Sequence, residues 1–334
     1  QTKNLYEGYQ LLACDGSNLT IAPNLNAPET LWKSNQLGAT GNHLHLNALY
    51  DVLNRTYIDA LVQTASTYQE HRACIQMIER VTLDKVILIA DRGYENYNIM
   101  SHAIEKGWKF LIRIKDVHSN GIASGLELPQ TAVFDMDINL ILTRNQTKSK
   151  KQAGYKFMPT VQTFDYLPIG SKEDYPISFR IARFKIADDS YETVITNLDR
   201  FCFSAEKLKE LYHLRWGIET SFRELKYAIG LTSFHAKKVD YIKQEIFARL
   251  TLYNYCELIT TYVVEHTENI SKKNQVNFTI AIYICREYLR RKRKLRPPDV
   301  VKLIEKHILP IRPGRRDPRK VKPQASVSFL YRVA

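Results

Sequence analysis

The stretch Leu211–Leu231, reading L-Y-H-L-R-W-G-I-E-T-S-F-R-E-L-K-Y-A-I-G-L, carries apolar residues at the spacing of a helix that buries one stripe. Leu208, Leu211, Ile218, Phe222, Leu225 and Ile229 recur at three- and four-residue steps, with Ser204 placed as an N-cap and Gly230 as a stop. At about 100° per residue, Tyr212, Arg215, Glu219 and Lys226 fall within an arc of roughly 60° at the edge of that stripe. Arg215 and Glu219 are one turn apart, and Lys226 lies about 10 Å further along the axis. On an arbitrary helix this is a solvated edge with an ion pair at i,i+4. A carboxylate beside a buried stripe, flanked by cations, also suits a site that holds a metal ion and the phosphates near it.

Upstream, Val86–Ala90 (V-I-L-I-A) is a short continuous apolar run, the pattern of a strand covered on both faces. Asp91-Arg92-Gly93-Tyr94 follows at once, which places Asp91 at the carboxyl edge of a sheet, where open α/β sheets bind ligands. Tyr9–Ala13 reads as a buried strand, with Asp15 where it ends and Gly16 where the chain turns toward Leu19–Ala22. His43–Asp51 and Thr56–Gln63 read as two more strands around a turn at Asn54. Gln69–Arg80 reads as a helix, Asn96–Lys106 as another and Lys109–Ile114 as a fifth strand. Either aspartate alone is an ordinary turn or cap residue. Two of them after strands, with Glu219 downstream, form a set.

The spacing Tyr212, Arg215, Glu219, Lys226 resembles the Y-R-E-K signature of DDE transposases from bacterial insertion sequences. The blocks Asp15-Gly16-Ser17, Asp91-Arg92-Gly93-Tyr94, Tyr212–Leu231 and the basic ending Arg312–Tyr331 resemble the same family, so the likeness runs along nearly the whole chain. It implies an α/β, ribonuclease-H-like mixed five-stranded sheet with flanking helices, whose first and fourth strands bring Asp15 beside Asp91. It implies that these two aspartates and Glu219 are catalytic and hold two Mg²⁺ or Mn²⁺ ions. It further implies that Tyr212, Arg215 and Lys226 grip DNA phosphates. The activity implied is cut-and-paste transposition: cleavage at the element's end, then strand transfer by the freed 3′-hydroxyl. The partners implied are double-stranded DNA, as transposon ends and target, and a second copy of the chain on that DNA. The competing readings are a ribonuclease-H-like nuclease without strand transfer and a domesticated derivative that only binds DNA.

Between Lys115 and Cys202 the character changes. Val133–Leu142, Phe157–Phe164, Ile177–Ile186 and Tyr191–Thr196 read as strands, with Thr143–Gly154 as an exposed hairpin tip. This gives a mostly β insertion before the catalytic helix, a feature the resemblance also implies. After Gly230, Val239–His266 and Phe278–Lys294 read as helices, and Pro297-Pro298 opens a short one. The expected organisation is a core in two parts (1–114 and 203–270), the β-rich insertion (115–202) and a basic helical C-terminal region with its tail (271–334).

Of the 334 residues, 44% are hydrophobic and 25% charged, the balance of a globular protein with a large core. The net charge of +13 is concentrated. From Arg286 to Lys322 there are 15 Lys or Arg against four acids (Glu287, Asp299, Glu305, Asp317), which is +11 of that total. Such a block, including Arg290, Arg291 and Arg293, is the footprint expected for a polyanion such as DNA. The cysteines (Cys14, Cys74, Cys202, Cys256, Cys285) lack metal-ligand spacing and read as reduced. No apolar run reaches a membrane span and no signal peptide is visible, so the expected place is the bacterial cytoplasm, at the nucleoid. The chain opens Gln1-Thr2-Lys3 without methionine, read as a piece lacking an N-terminal segment.

Overall fold

A computed structural model describes residues 4–33, 40–117, 119–147, 150, 154–266, 274–291 and 296–310. Strands β1 (Gln10–Ile21), β2 (Leu31–Lys33), β3 (Thr40–Asp51) and β4 (Thr56–Thr64) lead into helix α1 (Glu70–Arg80). Strand β5 (Val86–Ala90), helix α2 (Tyr97–Glu105) and strand β6 (Lys109–Arg113) follow. Next come β7 (Phe134–Thr143), β8 (Tyr155–Phe157), β9 (Asp174–Ala187) and β10 (Ser190–Thr196). Helices α3 (Ala205–Leu214), α4 (Trp216–Tyr227) and α5 (Val239–His266) precede β11 (Asn274–Val276), α6 (Phe278–Arg290), α7 (Val300–Glu305) and β12 (Ile308–Pro310). No helix among the described residues is long and apolar enough to cross a membrane.

The mixed α/β sheet with flanking helices agrees with the expected class. β1 pairs antiparallel with β3 and parallel with β5, and β5 pairs parallel with β6. The sheet does not stop there: β10 pairs antiparallel with β6 and carries β9, β7 and β8, giving ten strands among the described residues. An open edge at β6 would present a row of unpaired backbone groups, and β10 satisfies them.

The two faces of the sheet explain the unbroken apolar runs. Every residue of β5 is buried. Leu12, Cys14, Leu88, Ala90 and Ile112 pack with Met77 and Ile78 of α1 and with Ile99 and Met100 of α2. On the opposite face, Leu11, Ile87, Ile89 and Leu111 pack with Leu208 and Leu211 of α3, while Ala13, Ala48 and Tyr50 meet Ile218, Phe222 and Leu225 of α4. Alternation along the strand sends successive side chains to opposite faces, so a strand covered on both must be apolar throughout.

Several local expectations are corrected. The chain does not turn at Gly16: β1 runs on to Ile21 because β3 pairs with it from Leu12 to Ile21. The glycine is needed there for space, since a Cβ would lie 2.4 Å from His45 Nε2 and 2.9 Å from Glu70 Oε1. Of the strand expected at Phe157–Phe164 only Phe157 pairs, as the last residue of β8; beyond it the chain curls so that Arg144 donates to the carbonyls of Met158, Pro159, Gln162 and Leu167. β7 and β8 are parallel, so Thr143–Gly154 is not a hairpin tip. Pro297 and Pro298 precede α7, which starts at Val300 with the Asp299 side chain accepting from Lys302 N. The helix expected over Phe278–Lys294 ends at Arg290, and residues 292–295 lie outside the described residues, as do 311–334.

A buried polar network ties α4 and α5 to the β3–β4 turn. Glu257, 2% exposed, accepts from Arg55 Nε at 2.9 Å and Nη2 at 2.7 Å, and from the Tyr253 hydroxyl at 3.2 Å. The same Tyr253 hydroxyl lies closer to Glu224, at 2.8 Å, so its single proton is shared between the two carboxylates, and the Tyr57 and Ser221 hydroxyls lie 2.7 Å apart. Arg55 has a positive φ of 53°, in the turn that aims its guanidinium at α5.

Candidate active site

The parallel register of β1 and β5 ends at Cys14↔Ala90, so Asp15 and Asp91 are the next residues on two adjacent strands. They are neighbours by topology despite their distance in sequence. The Asp91 carboxylate caps a short turn by accepting from Gly93 N at 2.8 Å. Asp15 Oδ1 accepts from Gly16 N at 2.8 Å. The third carboxylate, Glu219, stands on the first turn of α4, the helix whose apolar face packs across β1 and β3.

The expected continuous helix through Tyr212–Tyr227 is interrupted at Arg215. There Arg215 N bonds to Tyr212 O and Ile218 N to Arg215 O, three-residue steps that tighten the chain between α3 and α4. Arg215 itself is 5% exposed. Its Nη2 donates to Glu219 Oε1 at 2.7 Å, and its Nη1 lies 3.9 Å from Asp15 Oδ2. The guanidinium therefore links two of the three carboxylates.

Burial pushes the Asp15 carboxyl up to about 6; the Gly16 N–H opposes this, Asp91 and Glu219 add to it and Arg215 partly relieves it. Carboxylates gathered in a half-dry pocket repel one another, which is the electrostatic condition a cation relieves. A pKa raised from 3.8 means that the folded protein holds the Asp15 proton more tightly than the unfolded chain. That stabilisation is complete below about pH 4 and lost as pH rises through about 6. Without divalent cations, Asp15→Asn should thus raise stability at pH 8 by about 2–3 kcal/mol, with the gain fading toward pH 4. Melting curves at both pH values test this; a gain that does not change with pH would contradict the shift.

The remaining expected residues are placed unevenly. Tyr212 is 3% exposed, with its hydroxyl hidden and unbonded and its ring 5.6 Å from the Arg215 guanidinium. In this conformation the ring lies against Arg215. Lys226 is half-buried two turns along α4 from Glu219, and burial lowers its pKa; it has no ion pair among the described residues. Arg290, the last residue of α6, lies 3.9 Å from Glu287, Arg291 just beyond the helix lies over the Tyr288 ring, and Arg293 falls outside the described residues.

Residues that the sequence did not single out pack against the glycines just after the two aspartates. His45, 4% exposed on β3, hydrogen-bonds Asn18 Oδ1 at 2.7 Å through Nδ1, and its Nε2 lies 3.0 Å from Glu70 Oε1, directly against Gly16. His71 Nε2 lies 2.5 Å from Gly93 O, bracing the Asp91 turn. A histidine at an inward strand position carries no distinguishing signal in one sequence, because its partners come from other elements.

Among the described residues, no group of three or more His, Cys, Asp and Glu stands close enough together to hold a metal ion in this conformation. The oxygen donors are nonetheless of the right kind for a hard divalent cation, and the Arg215 guanidinium already serves as a cation between Asp15 and Glu219.

A family model described as "Transposase DDE domain" matches residues 6–255, a span that includes every carboxylate and cation of this site and excludes the basic region beyond Arg286. The "Probable transposase for insertion sequence element IS5377" of Geobacillus stearothermophilus is 23% identical over 178 residues, 52% of this chain and 40% of that protein. The chain thus covers less than half the length of that relative. A solved structure, "Cryo-EM structure of piggyBac transposase synaptic complex with hairpin DNA (SNHP)", aligns over 86% of this chain and 55% of the other, with a TM-score of 0.49 and 10% identity.

Proposed function

Because the chain belongs to the transposase DDE domain family, we propose that it cuts and joins DNA at the ends of a mobile element, in the manner of the Y-R-E-K subclass. The observation that supports this most is the register that sets Asp15 beside Asp91, with Glu219 linked to Asp15 through Arg215. Oxygen ligands of this type select Mg²⁺ or Mn²⁺ over zinc, which favours His and Cys. In this reading Asp15, Asp91 and Glu219 hold two such ions, which supply charge neutralisation at phosphorus and a more acidic water or 3′-hydroxyl.

The chain's own residues do the positioning. Arg215 offers a planar fork of donors that matches a phosphate, backed by the Tyr212 ring. Lys226, further along α4, is a point charge for the next phosphate, and its partial burial strengthens that attraction. Asp15 is largely buried, so little bulk water competes for its carboxylate. The basic region from Arg286 onward extends the contact along the DNA backbone, and a second copy of the chain brings the other element end. Both proposals rest on charge and family, and binding should weaken steeply with salt.

The test is incubation of the full chain, with the element's end as duplex DNA and Mg²⁺, followed by mapping of the cut. Cleavage at the element boundary, and joining of a pre-cleaved end to target DNA, are the expected results. Cleavage without joining would assign a nuclease instead, and binding without cleavage a DNA-binding derivative.

A further inference from the structure

The strongest unexplained feature is the state of Arg215. A guanidinium carries five N–H donors, yet this one is 5% exposed, makes one short bond to Glu219 and a long contact to Asp15, and leaves Nε buried without a partner. Its flat faces lie near two rings, Tyr212 at 5.6 Å and Trp216 at 5.3 Å. Tyr212 is buried, whereas Trp216 is 49% exposed, so one of the two rings beside the guanidinium borders solvent. Arg215 also occupies the one-residue interruption between α3 and α4.

We infer that Arg215 is an internal counter-ion that a divalent cation must displace, so that loading the carboxylates releases its guanidinium to take a phosphate. The inference rests on the reading of Asp15, Asp91 and Glu219 as cation ligands. A cation entering among those carboxylates takes both of Arg215's acidic partners and repels its charge. The released fork then has unmet donors, and a phosphate oxygen pair satisfies them better than any group in the described site. Cation and DNA therefore reinforce each other's binding, and the coupling is reciprocal. In the absence of DNA the same side chain keeps the site poorly receptive to metal.

The experiment is calorimetric titration of Mn²⁺ into the full chain without DNA. R215Q, which removes the competing charge, is expected to bind Mn²⁺ at least about 5-fold more tightly than wild type. Equal or weaker binding by R215Q would overturn the counter-ion role. The D15N/E219Q double variant separates this from the underlying site: if it binds Mn²⁺ like wild type, the carboxylates are not the ligands and the premise itself fails. A second measurement needs no change at Arg215. Mg²⁺ added to wild type should alter Trp216 emission as the guanidinium leaves the ring, a change absent in W216F; identical responses in the two would also overturn the proposal. For the phosphate half, adding Ca²⁺ should tighten binding of a fluorescent duplex about 5-fold or more in wild type and little in R215Q. An undiminished gain in R215Q would show that the phosphate is held by other residues.

Discussion

Glu219→Gln is expected to abolish Mg²⁺-dependent nicking of end-bearing DNA, by at least about 10³-fold, the scale of removing a principal electrostatic stabiliser from an active site. The substitution keeps the shape of the side chain and its place on the first turn of α4, but removes the charge. Two consequences follow from the geometry. One of the three carboxylates proposed to hold metal is neutralised, and the Arg215 guanidinium, bonded to Glu219 at 2.7 Å, loses its nearest charged partner and is left with Asp15 at 3.9 Å. The variant should remain folded, because the apolar face of α4 (Ile218, Phe222, Leu225) is untouched. Nicking rates of wild type and variant, with circular dichroism as the folding control, decide the matter. A folded Glu219→Gln protein that nicks at the wild-type rate would remove Glu219 from the chemistry.

The second large effect concerns stability. Glu257→Ala should destabilise the fold by about 3 kcal/mol, the lower end of the range for breaking a buried ion pair. The lower end applies because the Arg55 side chain is 47% exposed, so water screens the charge left behind. Truncation removes both Arg55 bonds, the Tyr253 contact at 3.2 Å and the Thr260 contact at 3.3 Å. Glu257→Gln keeps the acceptor oxygen and should cost about half as much. Urea denaturation midpoints of the three proteins measure this directly, and equal midpoints would mean that the network is structurally idle. Nicking at low temperature should survive in both variants, since Glu257 touches none of the three carboxylates.

Much of the site was legible because two periodicities were strong. Val86–Ala90 is apolar without a break, and the structure places its strand over those same residues with Asp91 next in line. The Leu208–Ile229 stripe marked the buried face of the helical segment, and its apolar residues are buried on the sheet. The interruption at Arg215 leaves no mark in the sequence because three-residue steps leave the apolar spacing almost unchanged. Gly16 reads as a turn in the sequence because one sequence cannot reveal that a histidine from β3 fills the space where a Cβ would be. The strand expected at Phe157–Phe164 failed for a similar reason: Arg144, from the end of β7, draws those carbonyls out of any ladder.

Taken alone, the chain determined its class of elements, the strand that carries Asp91 and the line of polar residues on the α4 segment, since each is fixed by local spacing and burial. Only the tertiary structure decided that β10 continues the sheet from β6, that His45 lies against Gly16 and His71 against the Gly93 carbonyl, and that Arg215 joins Asp15 to Glu219. Those relations depend on which distant segments meet, and the interactions that select them arise when the faces of the sheet are covered.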